Sequence, residues 1–594
     1  MTGELMRRWL RLGILLTATS LIVAAGHATA ADSADLLAMI PAPDSAAALL
    51  IVVEKPRSVL ETTQAVAAYQ SALQSLPAVR EALDATPVRR LKRLLRFFES
   101  ELQAEWPVLV DKVAGGGLAL LLAVGPNPPP SLLIIHGTDE ACVRNFQQRA
   151  LLILDEESTR QGGPSLTRQQ HLAVEVASLG NDFHSSRVGR TLLISNQRSF
   201  LNQAISHLQT ADRKQSLAGR SGPAEARTLL GGNPLAWLWF DFARIKQEKP
   251  VQDFFANSRK DLFQTLVAGA TIDALRRAEY IAASLDAIPG GYSAKLQLPV
   301  RRADLAEGLT LHVPSADKPG SLPLLLPKQV IYSQSFHLDL GDLWRKRETI
   351  INPQQRRQIE EGAKQVTRVL PNTSVAELLE HSGPYHRFVL AHRVEKLYSR
   401  EPGQPLPAGA YVMSGCGEKF GKIADAGLRA AALLAGLPYG LTMHEEQYDG
   451  TTIVSYRFSE SKPIPDDPEQ LRFNAAPCFA MVADSLIVAS HPGLLKDLIG
   501  ELRSPRDQQS PAVWRNRLDA AGVAASVRSY PQQTITTTIL SDGVSLSEAR
   551  RRVDALVEWI QTLGHFEIQS DHEPETFKLQ FRWISSPAAA KVAP

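Results

Sequence analysis

Residues 188–205 read VGRTLLISNQRSFLNQAI, and residues 482–499 read VADSLIVASHPGLLKDLI. The two phrases align without a gap at an offset of 294 (482 − 188). Few identities survive, but the chemistry does. An apolar strand, Leu192-Leu193-Ile194 against Leu486-Ile487-Val488, runs into a polar turn. A helix follows in which Phe200, Leu201 and Ile205 match Leu494, Leu495 and Ile499. A self-match of this length predicts two related units before any local reading is made.

Working outward, each half opens the same way. Ile40-Pro41 leads into a strand at Ala48–Val53, and Leu326-Pro327 leads into one at Ile331–Leu340. In the latter Ser333, Ser335, His337 and Asp339 alternate with Gln334, Phe336, Leu338 and Leu340, the period of a half-buried strand. Strands are expected at 132–136, 172–179, 410–414, 451–458 and 479–489. A helix is expected from Asp139, placed to cap it, to about Glu157. A second runs from about Lys419 to Ala435 and is ended by Gly436 and Pro438. Each half closes on the same triplet, Lys295-Leu296-Gln297 and Lys578-Leu579-Gln580, at an offset of 283 (578 − 295). The last long helix carries a capping box at Ser545 and Glu548 and an apolar stripe through Val553, Leu556, Val557 and Ile560.

The expected class is α+β: two repeated units of mostly antiparallel sheet with helices packed on one face. The first unit spans 32–300, a linker 301–321, the second unit 322–585, and a frayed tail 586–594.

Residues 1–30 read as an export signal. Arg7, Arg8 and Arg11 precede the apolar run Leu12–Ala25, and Ala28-Thr29-Ala30 is a small-residue cleavage site. The run is shorter than the roughly 20 residues that span a bilayer. The expected destination is periplasmic or extracellular after cleavage near Ala30, and a retained anchor is the other outcome. No second long apolar span occurs, so the mature chain is read as having no transmembrane segment.

The 64 basic residues nearly balance 62 acidic ones, which argues against nucleic acid as the partner. The dense run Arg89, Arg90, Lys92, Arg93 and Arg96 interleaves with Leu91, Leu94, Leu95, Phe97 and Phe98, and reads as the solvated face of an amphipathic helix. Cys142, Cys416 and Cys478 lie far apart and show no metal spacing. A Cys416–Cys478 bridge is left open.

The L-P opening strands, Gly115-Gly116-Gly117 ahead of Leu118–Val124, and the strand-turn-helix of 188–205 together resemble a family of exported bacterial proteins classed only as a domain of unknown function. The resemblance implies export and a repeated α+β fold. It supplies no catalytic residue.

Motifs that approach chemistry fall short on spacing. Gly415-Cys416-Gly417-Glu418-Lys419-Phe420-Gly421-Lys422 sits where a phosphate loop would. Cys416 stands where the first P-loop glycine belongs, and Ile423 replaces the magnesium-binding hydroxyl. Glu377, Glu380 and His381 approximate H-x-x-E-H without its first histidine. Among His381, His386 and His392, extended chain would set His386 and His392 about 20 Å apart, too far for those two to share an ion. Ser315 and Lys318 match S-x-x-K, but Pro319 steers Lys318 from the helix that motif needs.

No catalytic, cofactor or metal residue is therefore assigned, and no cofactor is expected. The function expected is that of an exported non-catalytic binding or scaffold protein of the bacterial envelope. An envelope protein or cell-wall component is the partner to seek. The alternatives are a hydrolase with a site between the halves, and a lipid or envelope-surface binder using Arg89, Arg93 and Arg96.

Overall fold

The computed structural model describes residues 33–43, 47–59, 86–125, 128–210, 213–257, 262–305, 307–315, 317–369, 373–464, 467–504 and 511–586. The expected signal (1–30) and tail residues 587–594 lie outside them.

The first unit contains β1 (Ala47–Val53), β2 (Gly117–Ala123), β3 (Ser131–His136), β4 (Leu166–His171), β5 (Val174–Leu179), β6 (Phe183–Val188), β7 (Thr191–Ser195), β8 (Ala236–Asp241), β9 (Tyr280–Ile288) and β10 (Gly291–Leu298). They form one antiparallel sheet in the order β4-β5-β6-β7-β3-β2-β1-β8-β9-β10.

The second unit contains β11 (Val330–His337), β12 (Tyr385–Ala391), β13 (Ala408–Ser414), β14 (Thr442–Tyr448), β15 (Thr451–Arg457), β16 (Cys478–Val482), β17 (Ser485–Ala489), β18 (Ala512–Asp519), β19 (His565–His572) and β20 (Phe577–Ile584). Their antiparallel order is β14-β15-β16-β17-β13-β12-β11-β18-β19-β20. Adding ten to each label of the first order gives the second. The opening phrases fall on β6–β7 and β16–β17, where Val188 faces Thr191 and Val482 faces Ser485 in the same hairpin register.

The α+β class holds, but helices cover both faces of the strands rather than one. In the first unit, Leu36 and Leu37 of the Ser33–Met39 helix and Leu201 and Ile205 of the Arg198–Thr210 helix bury Leu50, Val52, Leu132 and Leu193. Val110, Val113 and Val143 of the Trp106–Ala114 and Glu140–Arg160 helices bury Val53, Ile135 and Leu192 on the other side. Leu192 and Leu193 are adjacent, so their side chains leave opposite faces. Uninterrupted apolar runs, rather than alternation, are what a strand covered twice requires. The second unit repeats this: Ile487 packs with Leu494 and Leu498, while Leu486 packs with Phe420.

Two boundaries differ from expectation. The compact units are residues up to Gln247 with Ala278–Leu298, and Glu248–Arg277 with Pro299 onward. Segment 248–277 therefore belongs to the second unit. Leu266 packs with Leu311, Leu338 and Leu343, and His312 Nε2 donates to Thr265 O at 3.1 Å. The expected linker 301–321 is consequently packed core: Leu311, Val313 and Ser321 are all buried. Alternation in β11 is also inverted, with Ser333, Ser335 and His337 on the buried side. Ser335 Oγ donates to Leu322 O at 2.7 Å, because the 320–326 segment covers that face.

Locally, Asp139 caps its helix by accepting from Cys142 N at 3.0 Å, and Ser545 accepts from Glu548 N at 3.3 Å. The helix expected to stop at Gly436 and Pro438 continues to Tyr439 and ends at Gly440, φ +66°. A proline near a helix C-terminus removes a single donor, and a left-handed glycine terminates better. Arg89, Arg90, Lys92, Arg93 and Arg96 are exposed on the Thr86–Leu102 helix, while Phe98 is buried against Phe146.

The strand expected at 172–179 begins at Val174, because Leu172 (φ +49°) and Ala173 (φ +61°) form the two-residue turn of a β4–β5 hairpin. The matching β14–β15 turn is Asp449-Gly450, φ +48° and +68°, the residue pair such turns favour. Left-handed backbone costs an ordinary L-residue about 1–2 kcal/mol. Replacing Leu172-Ala173 with Asn-Gly is therefore expected to stabilise the first unit by about 1–2 kcal/mol. A denaturant midpoint that stays put or falls would contradict this.

Candidate functional site

A cavity of about 900 Å³ lies in the second unit beside the connection from β12 to β13. Residues 392–407 make this connection without helix or strand. Connections of that length usually carry function or have no fixed shape. This one is fixed by its own polar groups. The Tyr398 hydroxyl donates to Ala475 O at 2.9 Å and accepts from Phe458 N at 3.1 Å, and its ring lies on Phe473. Gly403 N donates to Glu469 O at 2.7 Å. The Asn474 amide closes the loop by accepting from Leu406 N (2.7 Å) and donating to Gln404 O (2.9 Å).

At the inner end, Arg393 is 9% exposed and donates to Asp497 at 2.7 Å. His491 Nδ1 accepts from Gly493 N at 3.0 Å, so its proton is on Nε2, which faces Glu395 O at 3.4 Å. Burial lowers the His491 pKa and keeps the ring neutral. His392 Nε2 and Ser529 Oγ lie 2.9 Å apart. Burial lowers the His392 pKa as well.

On the open side, Lys396 and Glu401 pair with each other. Arg400 and Glu469 also line the cavity; the Arg400 charge acts on Glu460, while the Glu469 side chain takes no hydrogen bond or ion pair among the described residues. Tyr530, 41% exposed, presents an aromatic face beside them. The groove thus offers a charge of each sign, an aromatic surface and a rigid floor. That is recognition chemistry. Within the groove, His392 and Ser529 place an imidazole beside a hydroxyl, the pairing that nucleophilic catalysis uses.

The motifs noted in the sequence are placed elsewhere. The Gly415–Lys422 turn consumes its own donors: Cys416 N bonds to Asp484 O (2.9 Å) and Gly417 N to His381 O (3.1 Å). A phosphate cradle needs those N–H groups free. Glu377 pairs with Lys419, Ser374 caps that helix, and His381 ends it. His386 donates from Nε2 to Leu338 O (2.9 Å) and bonds through Nδ1 to the Tyr411 hydroxyl (2.6 Å), remote in role from His392. Ser315 and Lys318 share a turn, Lys318 N donating to Ser315 O. Cys142, Cys416 and Cys478 are all free thiols, the last two held in different core clusters. Among the described residues no group of three or more His, Cys, Asp or Glu side chains could hold a metal ion.

Sequence reading missed the groove. Its only signal was the Glu401–Pro407 stretch, rich in proline and glycine, which marks a loop without revealing what anchors it.

No protein-family model matches the chain, and no curated protein matches it. Two solved structures, described as crystal forms I and III of TP0453, are similar to part of it at 12% and 14% identity. Each covers 46% of this chain and respectively 80% and 83% of that one, with TM-scores of 0.22 and 0.23. Scores at that level establish no shared fold.

Proposed function

We propose that this chain is an exported, non-catalytic binding protein of the bacterial envelope, built from two units of common origin. Its partner, a cell-wall component or envelope protein bearing both signs of charge, lies in the groove beside residues 392–407. The observation that carries this reading is the anchored loop: Tyr398 and Asn474 hold its backbone while Arg400, Glu469 and Tyr530 line the groove beside it. The shared strand order and the repeated phrase support common origin. The N-terminal Arg7–Ala30 stretch supports export. No helix among the described residues is long and apolar enough to cross a membrane.

The test is thermal unfolding of the chain with cell-wall fragments, lipids, nucleotides and metals. A ligand at a hundred times its Kd stabilises the native state by about 2.7 kcal/mol. Cell-wall fragments are expected to shift the midpoint, and the Arg400→Ala, Tyr530→Ala double variant to lose the shift. A shift that survives in the double variant would remove the groove from the account.

A hydrolase reading with its site inside the second unit, rather than between the halves, would rest on the Ser529–His392 contact. Under that reading Ser529→Ala loses turnover of an ester substrate. Under the binding reading the parent chain shows none to lose.

A further inference from the structure

A second cavity, about 500 Å³, opens in the first unit at the turn between β7 and the Arg198–Thr210 helix. This volume falls within the roughly 300–1,000 Å³ of small-molecule sites, but the lining is unlike the usual apolar one. Its lining holds no carboxylate, no aliphatic side chain and no aromatic ring other than the His184 imidazole.

Its wall is fixed. His184, 5% exposed, bonds through Nδ1 to Ser178 Oγ (2.8 Å) and donates from Nε2 to Asn181 O (3.1 Å). Asn196 accepts from Ser131 N (2.8 Å) and donates to Pro129 O (2.9 Å). Thr167 Oγ1 donates to Ser178 O at 3.2 Å. The remaining lining side chains are uncommitted. Gln169, Asn181, Gln197, Arg198 and Ser199 take no side-chain hydrogen bond among the described residues, and Arg198 has no ion pair there. Burial, with Arg198 adding to it, keeps His184 neutral. Asp182 acts on His184 through space but does not line the bowl.

A half-buried guanidinium in a neutral polar bowl calls for a counter-anion. The amides and hydroxyl around it call for a ligand rich in hydrogen-bonding groups. One cation matches a single negative charge, a carboxylate rather than a dianionic phosphate monoester. We infer that this bowl binds an acidic sugar, its carboxylate on Arg198 and its hydroxyls on Gln169, Asn181, Gln197 and Ser199.

The test is calorimetric titration of the full chain with glucuronate, glucose, acetate and glucose 6-phosphate. Glucuronate is expected to bind at least about tenfold more tightly than glucose or acetate, since a charge-assisted hydrogen bond is worth that or more. Arg198→Gln is expected to bring glucuronate down to the level of glucose. Arg198→Lys is expected to fall between, because an ammonium cannot grip a carboxylate with two parallel donors. Asn181→Asp places a repelling charge at the rim while keeping the carbonyl that holds His184, and is expected to weaken glucuronate more than it weakens glucose. Glucuronate binding no better than glucose, unchanged by Arg198→Gln, or weaker than glucose 6-phosphate would overturn the assignment.

Discussion

Acidification from about pH 7 to about pH 4.5 is expected to unfold the second unit while the first remains folded. Three histidines of the second unit are buried with pKa values pushed down to about 4: His312, His337 and His572. Burial is the main cause in each, and their neighbours add to it or oppose it. Arg302 and His312 act on His572 against Asp273, and His312 and His386 act on His337 against Asp339. In the unfolded chain these rings titrate near 6.5. Between about 6.5 and 4 the unfolded state therefore binds protons that the folded state refuses, and stability falls as pH falls. Above 6.5 these groups contribute no pH dependence.

Each ring is worth up to about 3 kcal/mol across that window, and a domain is typically stable by only about 5–15 kcal/mol. Asp571 opposes the trend, because burial raises its pKa and protonation then favours the folded form. In the first unit His184 is lowered too, and it has hydrogen bonds at both nitrogens. Hydrogen exchange at pH 7 and pH 5 locates the effect. Protection lost first in β11, β18 and β19 is the expected result, and equal loss in both units would refute it. His337 Nδ1 is buried without a hydrogen bond, but the ring bonds to the Leu311 backbone. His337→Phe is therefore expected to flatten the pH dependence at a cost of one hydrogen bond, ~1 kcal/mol, at neutral pH.

Trp237→Ala is expected to cost the first unit about 3–5 kcal/mol, the range for emptying an aromatic site in a core. Trp237 is 2% exposed on β8, between Val52 of β1 and Ser284 of β9, within the cluster that includes Leu50, Leu121 and Trp239. Its indole N–H is buried without an acceptor, so Trp237→Phe removes an unsatisfied donor while leaving most of the ring volume. That variant is expected to cost less than half as much. Denaturant midpoints of the two variants decide the matter, and equal losses would show that ring volume is not what the site uses.

Much of this was legible from residues alone, because it is local. Asp139 and Ser545 as helix caps follow from side chains reaching donors three residues away. The strand-turn-helix of 188–205 and 482–499 follows from apolar periods that each phrase carries within itself. The α+β class and the antiparallel strands follow from many such short elements. The phrase also located, without naming it, the turn at which Asn196, Gln197, Arg198 and Ser199 meet His184.

Other features were decided only in three dimensions. Whether Ser333 and Ser335 face core or solvent depended on the 320–326 segment lying over β11 and supplying Leu322 O. Whether 248–277 belonged to its own half depended on Leu266 and Thr265 finding Leu311 and His312. The groove needed Tyr398, Asn474 and Tyr530, and the acidic-sugar bowl needed Gln169, Asn181 and Arg198, each brought together from separate elements. A local pattern is fixed by the energetics of neighbours along the chain, and this sequence spells those out twice. Burial of a polar face or an uncommitted charge is fixed by what lies across space, and no spacing along the chain encodes that.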